Sequence, residues 1–144
     1  MKLASKLCKA AAALCLTLAA AQPALAGGTL YDKLGQEPGI TAVIDKFIGI
    51  VAADARINHF FGHANVPRLK ALLVQLLGMA SGGPQKYAGR DMKTSHAGMG
   101  VRVADFNALA EDLYLAMDQS NVPFTTQQKV MAMLAPMESD IVTQ

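Results

Sequence analysis

His96 stands in a polar, glycine-punctuated stretch running from Gly82-Gly83-Pro84 to Gly100, between long apolar segments. An imidazole on such a connector, aimed between apolar helices, has the chemistry of an axial metal ligand. One ring nitrogen binds the iron of a flat cofactor while surrounding hydrocarbon keeps water off the metal. Two further histidines, His59 and His63, lie beside the aromatic pair Phe60-Phe61. Neither falls on an apolar stripe, so both read as exposed loop residues, with a place as a second ligand as the alternative.

The segments that must position His96 carry helical periodicity, and none reads convincingly as a strand. Thr29-Leu30-Tyr31-Asp32 has the form of a capped short helix ending at Gly35, and Pro38-Gly39 is expected to open a longer one. Ile40, Val43, Ile44, Phe47, Ile48 and Val51 follow the i, i+3, i+4, i+7 spacing of one buried stripe. A short helical turn from Asp54 to Phe61 carries the aromatic pair, and 62–65 forms a connector. From about Val66 the spacing returns in Leu69, Leu72, Leu73, Leu76, Leu77 and Ala80, with Gly78 and 81–84 expected to stop the helix. The stretch around His96 has room for a short helical piece only. Phe106, Leu109, Ala110, Leu113 and Met117 mark a third long helix. Thr125-Thr126-Gln127-Gln128 resembles a capping box for the last one. The apolar face of that helix is Val130, Met131, Leu134 and Met137, and Pro136 should kink or end it. The fold class is all-α: four principal helices as two antiparallel pairs, with the polar loop between the second and third.

The first 26 residues belong to a different function. Lys2, Lys6 and Lys9 precede an apolar run over residues 10–21, and Ala24-Leu25-Ala26 closes it. A charged head, a short apolar run and an A-x-A end describe a cleavable secretory signal peptide. The run is too short to span a bilayer comfortably, so no membrane anchor is expected after cleavage. The expected domains are thus 1–26, the signal, and 27–144, one modest domain with a single core. Three of the 13 basic residues leave with the signal, so 10 remain against 11 acidic ones and the mature net charge is about −1. Nucleic-acid binding therefore gains nothing from the basic full chain. Cys8 and Cys15 leave too, which excludes a disulfide, a cysteine-ligated zinc and a thioether-linked haem. Export is expected, to a bacterial periplasm.

The order of these pieces resembles the truncated haemoglobins, specifically their first group. The similarity runs from Leu30-Tyr31-Asp32-Lys33-Leu34-Gly35 to Leu134-Ala135-Pro136-Met137. It is strongest at Ile57-Asn58-His59-Phe60-Phe61, Arg68-Leu69-Lys70, Gly82-Gly83-Pro84, Tyr87, Met92-Lys93, His96-Ala97-Gly98-Met99-Gly100 and Asp105-Phe106. The resemblance implies a two-over-two helical sandwich around one non-covalent haem b. His96 falls at the proximal iron ligand and Phe61 at the aromatic residue against the haem face. Phe47 and Ile48 from the first long helix, and Leu69 and Leu73 from the second, would wall the distal side. Leu109 takes the position of a tryptophan found in the other groups, and Phe106 lines the cofactor pocket. Arg68, Lys70 and Lys93 are candidates to meet the haem propionates. Tyr87 and Met92 would close the proximal side, while Phe60 packs between helices and Met131, Met133 and Met137 supply plastic packing. The position of Ile48 is a tyrosine in many relatives, hydrogen-bonding dioxygen, with a glutamine near Leu73. Here Ile48, Leu69, Leu72 and Leu73 bring no polar atom.

The leading expectation is a haem protein that reversibly binds a diatomic gas, O2, CO or NO, in an apolar distal pocket and relies on an unidentified reductase. Losing a donor to dioxygen should cost about 1–3 kcal/mol, so fast oxygen release and ready autoxidation are expected. The alternatives are a haem-dependent redox enzyme, acting on nitric oxide, nitrite or peroxide, and a haem carrier. Peroxide cleavage gains from a distal acid–base group, which ranks the enzyme below the ligand-binding protein.

Overall fold

The computed structural model describes residues 27–144, so the signal-peptide reading of 1–26 lies outside the described residues. Those described are helical throughout: α1 (Leu30–Lys33), α2 (Gln36–Ala53), α3 (Val66–Ala80), α4 (Met92–His96), α5 (Val103–Gln119), α6 (Phe124–Leu134) and α7 (Glu138–Ile141). Two single turns of 3-10 helix, Asn58–Phe61 and Ala135–Met137, join α2 to α3 and α6 to α7. Among the described residues no helix is long and apolar enough to cross a membrane.

The apolar stripes make the core. Ile40, Val43, Ile44, Phe47 and Val51 of α2 are buried, and α2 packs against both α3 and α5. Ala108, Leu113, Ala116 and Met117 of α5 and Val130 of α6 close the cluster. The burial of such side chains, each about 1.5–3 kcal/mol, drives the assembly.

Local signals set the helix ends, not always where the sequence suggests. Thr29 caps α1 in a reciprocal capping box with Asp32, as its sequence implies. Helix α2 starts two residues before Pro38, because Gly35 and Gln36 both turn through left-handed backbone, φ 80° and 58°. A glutamine there holds a conformation that glycine adopts freely. Gly78 does not stop α3; it is buried inside it. The Gln85 side chain lies against it, and an added Cβ would stand 2.5 Å from Gln85 Oε1. The expected capping box at Thr125–Gln128 does not form. Pro123 is the N-cap of α6, while Thr126 and Gln127 are buried and Gln127 Nε2 donates to the Val122 carbonyl at 2.8 Å. The helix breaks at Leu134, just before Pro136, and resumes as α7.

One polar cluster ties the end of α2 to α5. Arg56 reaches Asp54 at 2.8 Å and Glu111 at 2.7 Å, and stands 4.0 Å from Asp112. Arg56 holds the Asp54 carboxyl below the usual carboxylate range. Asp112 is 5% exposed and its Oδ2 has no partner. Burial, reinforced by the nearby Asp54 charge, pushes the Asp112 carboxyl up.

Candidate functional site

A cavity of about 630 Å³ opens between α3, α5 and the α4–α7 side of the molecule. That volume falls in the roughly 300–1,000 Å³ range of sites for small molecules and cofactors. Helical spacing explains most of its wall. Leu69, Leu72, Leu73, Leu76 and Leu77 come from one stripe of α3, and Phe106, Leu109, Ala110 and Leu113 from one stripe of α5. Helix α2 contributes Ile44 and Phe47. Ile48, expected on this wall, is outside it. Each residue advances 100° around a helix, and Ile48 falls on the flank, half-buried against the core cluster.

The opposite side is assembled from short pieces. Asp91 caps α4, its carboxylate accepting from the Thr94 backbone at 2.7 Å and the Thr94 hydroxyl at 2.7 Å. Those bonds hold the Asp91 carboxyl below its usual range. Within this single turn Met92, Ser95 and His96 face the cavity, at i, i+3 and i+4. Lys93 sits on the exposed face, away from the lining, so the expected propionate contact lacks geometric support. Met131, Leu134, Met137 and Ile141 complete this side from α6, the turn after it and α7. The tail fastens it: Thr143 and Gln144 donate their backbone N–H groups to the Val101 carbonyl at 2.9 and 3.2 Å.

His96 is half-buried, and its Nδ1 lies 2.8 Å from the Met92 carbonyl oxygen. A carbonyl can only accept, so Nδ1 carries the proton and Nε2 keeps a free lone pair. Backbone thus fixes both ring orientation and tautomer, as the outer hydrogen bond of a metal-ligating histidine does. Among the described residues no three His, Cys, Asp or Glu side chains converge into a metal site. A metal that carries its own set of ligand atoms therefore suits a site with this one oriented imidazole.

Two exposed arginines, Arg68 and Arg90, line the rim of the cavity with His63, and the lining contains no acidic residue. The expected Arg68 is there; Lys70 is not, being paired with Asp45 on α2. Tyr87 lines the cavity but spends its hydroxyl on the Arg90 carbonyl at 2.9 Å. Phe61 lines the cavity, and so does Phe60, which packs against the core as the resemblance implied and reaches the wall as well. His59 stacks on Phe60 with ring centroids 4.1 Å apart and stays outside the lining, as read. His63 is an exposed loop residue, as read, and also lines the cavity. Arg90, Met99 and Ile141 were also missed. Met99 had a visible cue, since it lies three residues after His96 between Gly98 and Gly100, and Gly98 turns the chain at φ 76°.

At the head of α5, Asp105 is buried and bridges to Arg102 Nε at 3.0 Å. Its carboxylate also accepts from the Arg102 backbone N–H at 3.0 Å, which, with the guanidinium, holds its carboxyl below the usual range. That cap fixes where α5 begins, and so where Phe106 meets the cavity.

The comparisons agree with this geometry. Residues 29–143 match the family model described as bacterial-like globin. The chain is 32% identical over 115 residues to the group 1 truncated hemoglobin GlbN of Mycolicibacterium paratuberculosis, covering 80% of this chain and 85% of that one. It is 36% identical over 99 residues to GlbN of Synechocystis, covering 66% and 80%. The ferric truncated hemoglobin of Tetrahymena pyriformis superposes with a TM-score of 0.78 at 27% identity, over 81% of this chain and all of that one. The 2/2 hemoglobin of Synechococcus, solved in the cyanomet state with covalently attached heme, does so at 0.76 and 28%, with the same coverage. A family model matched over nearly all of the described residues, with relatives above 30% identity, settles the membership: the chain belongs to the bacterial-like globin family, as a group 1 truncated haemoglobin.

Proposed function

We propose that this globin holds one haem b, non-covalently, with His96 as the proximal ligand, and reversibly binds a diatomic gas. The observation that carries this reading is the His96 Nδ1 to Met92 carbonyl contact of 2.8 Å, which occupies Nδ1 and leaves Nε2 as the ligating atom of a residue in the cavity lining. The residues present fit the group. An apolar interior suits a porphyrin plane, and His63, Arg68 and Arg90 at an acid-free mouth suit two propionates. Residues 27–144 contain no cysteine, so no thioether bond to the haem can form there. Iron in such a haem supplies reversible coordination of O2, CO or NO.

The chain's own residues set the terms. Ile44, Phe47, Leu69, Leu72, Leu73 and Leu76 exclude water on the far side of the cavity from His96 and offer no hydrogen-bond donor. Fast oxygen release and ready autoxidation follow, with better retention of carbon monoxide, because a polar ligand gains about 1–3 kcal/mol from a donor that these side chains lack. The pattern of residues 1–26 supports export to a bacterial periplasm, where an unidentified reductase keeps the iron ferrous.

Absorption spectra of the purified ferric and ferrous-carbonyl protein test the reading. A Soret band that disappears in His96→Gly and returns with added imidazole is expected. An unchanged Soret band in that variant would overturn the assignment of His96.

A further inference from the structure

The side of the cavity that carries His96 also carries sulfur. Met92, Met99, Met131 and Met137 all line it, whereas α2 and α3 contribute no thioether to the wall. Two of the four bracket the histidine through the backbone. The Met92 carbonyl accepts from His96 Nδ1, and the Met99 N–H donates to the His96 carbonyl at 3.1 Å. Met99 is also reachable from solvent, at 37% exposed. The most exposed methionine elsewhere among the described residues is Met79, at 44%, on α3 and outside the cavity lining. The molecule therefore carries its own internal standard: two accessible thioethers, one facing the cofactor cavity and one not.

We propose that Met99 is a modification site, oxidised to its sulfoxide through the cavity by hydrogen peroxide, and that this oxidation loosens the haem. The inference rests on the haem-binding reading above. The balance is simple. A lone pair on the Met99 sulfur takes one oxygen atom from hydrogen peroxide, the O–O bond breaks, and water leaves. Sulfur is oxidised by two electrons and peroxide is reduced by two. The product is a polar, chiral group where a flexible apolar one stood. It would sit in the wall beside His96, on the loop whose backbone holds that residue. Exposure alone gives a different order, with Met79 oxidised at least as readily as Met99. The preference for Met99 would come from the iron of a haem seated in the cavity, which would promote the same transfer of oxygen from peroxide to the sulfur that lines it.

The test compares the full chain loaded with iron protoporphyrin and with zinc protoporphyrin, which has the same shape without iron's redox chemistry. Each is exposed to hydrogen peroxide, and sulfoxide at Met99 and Met79 is counted by peptide mass mapping, with the buried Met117 as the unreactive control. The iron form is expected to show Met99 ahead of Met79 several-fold, and the zinc form to lose that preference. Equal Met99 to Met79 ratios in the two forms would overturn the inference. Met99→Leu, close in volume, should lose the peroxide-induced rise in haem transfer to an apoglobin acceptor, each protein being compared with its own rate before peroxide. Persistence of that rise in Met99→Leu would remove the link to haem retention. The Soret band recorded before peroxide separates the failures. A seated haem without Met99 preference sinks this inference alone, and an unseated haem sinks the globin-ligand reading beneath it as well.

Discussion

The two sides of the cavity are built by opposite means. Beyond Arg68 at its rim, the α2–α3 side is hydrocarbon on long, uninterrupted helices whose side chains repeat every three or four residues. The α4–α7 side is a five-residue helix, a glycine turn and a helix broken at a proline, with an imidazole and four thioethers among its lining. The first side is stiff and inert; the second is held by individual hydrogen bonds and carries the reactive atoms. A binding site of this kind separates shape from chemistry. Shape comes from periodic packing, and chemistry from a short segment whose orientation depends on a few backbone contacts.

Four perturbations break or sharpen that contrast. Ile141→Ala, in the wall nearest α4, should cost about 2–3 kcal/mol and accelerate haem loss, read by transfer to an apoglobin acceptor and by the urea midpoint. If haem loss stays unchanged while stability falls, α7 supports the fold and not the histidine loop. On the hydrocarbon side, Leu73→Gln adds a donor among the apolar side chains of α2 and α3, deeper than Arg68 at the rim. It should slow oxygen dissociation from the ferrous protein by roughly tenfold to a hundredfold, the equivalent of about 1–3 kcal/mol. A rate within twofold of the parent would mean that this wall does not face the bound gas.

Asp112→Asn probes α5, which both sides share. The carboxyl's raised pKa means that folding favours its protonated form. That contribution is fully present below the unfolded carboxylate pKa of about 4 and is lost as pH rises through the folded value. Asparagine removes the charge and its titration. The variant should therefore be more stable at neutral pH by about 1 kcal/mol, and its advantage should vanish in acid. Urea titrations at pH 4 and pH 8 read this directly, and a variant less stable at pH 8 would refute it. The smallest effect is expected at the mouth. His63→Ala should shift stability by no more than about 0.5 kcal/mol, with the Soret band in place. A displaced Soret maximum in the ferric form would reveal that His63 reaches the iron.

Legibility in the sequence followed the same division. The stripes of α2, α3 and α5 are visible because 3.6-residue periodicity maps directly onto one buried face, but periodicity does not tell a core stripe from a cavity wall. The family resemblance is what puts Leu69, Leu73, Phe106 and Leu109 on the cavity, which they line. Ile48, put there by the same resemblance, shows its limit. A stripe more than 100° wide includes flank positions that pack on neighbouring helices instead. On the other side, the position of His96 was legible from its polar, glycine-rich setting and its family resemblance. Its hydrogen bond to Met92 was not, since it depends on where α4 begins. Arg90, Met99 and Ile141 arrive at the wall through loop and tail geometry, which no periodic pattern encodes. Lys70 illustrates the converse. Its charge suggested a cofactor contact, but Asp45 on the adjoining helix offers a nearer partner.

The last two amides of the chain end on the carbonyl of Val101, five residues beyond His96. A purification tag or fusion partner placed directly after Gln144 would load that attachment and, through it, the segment that follows His96. Such a tag is best removed before spectra are recorded.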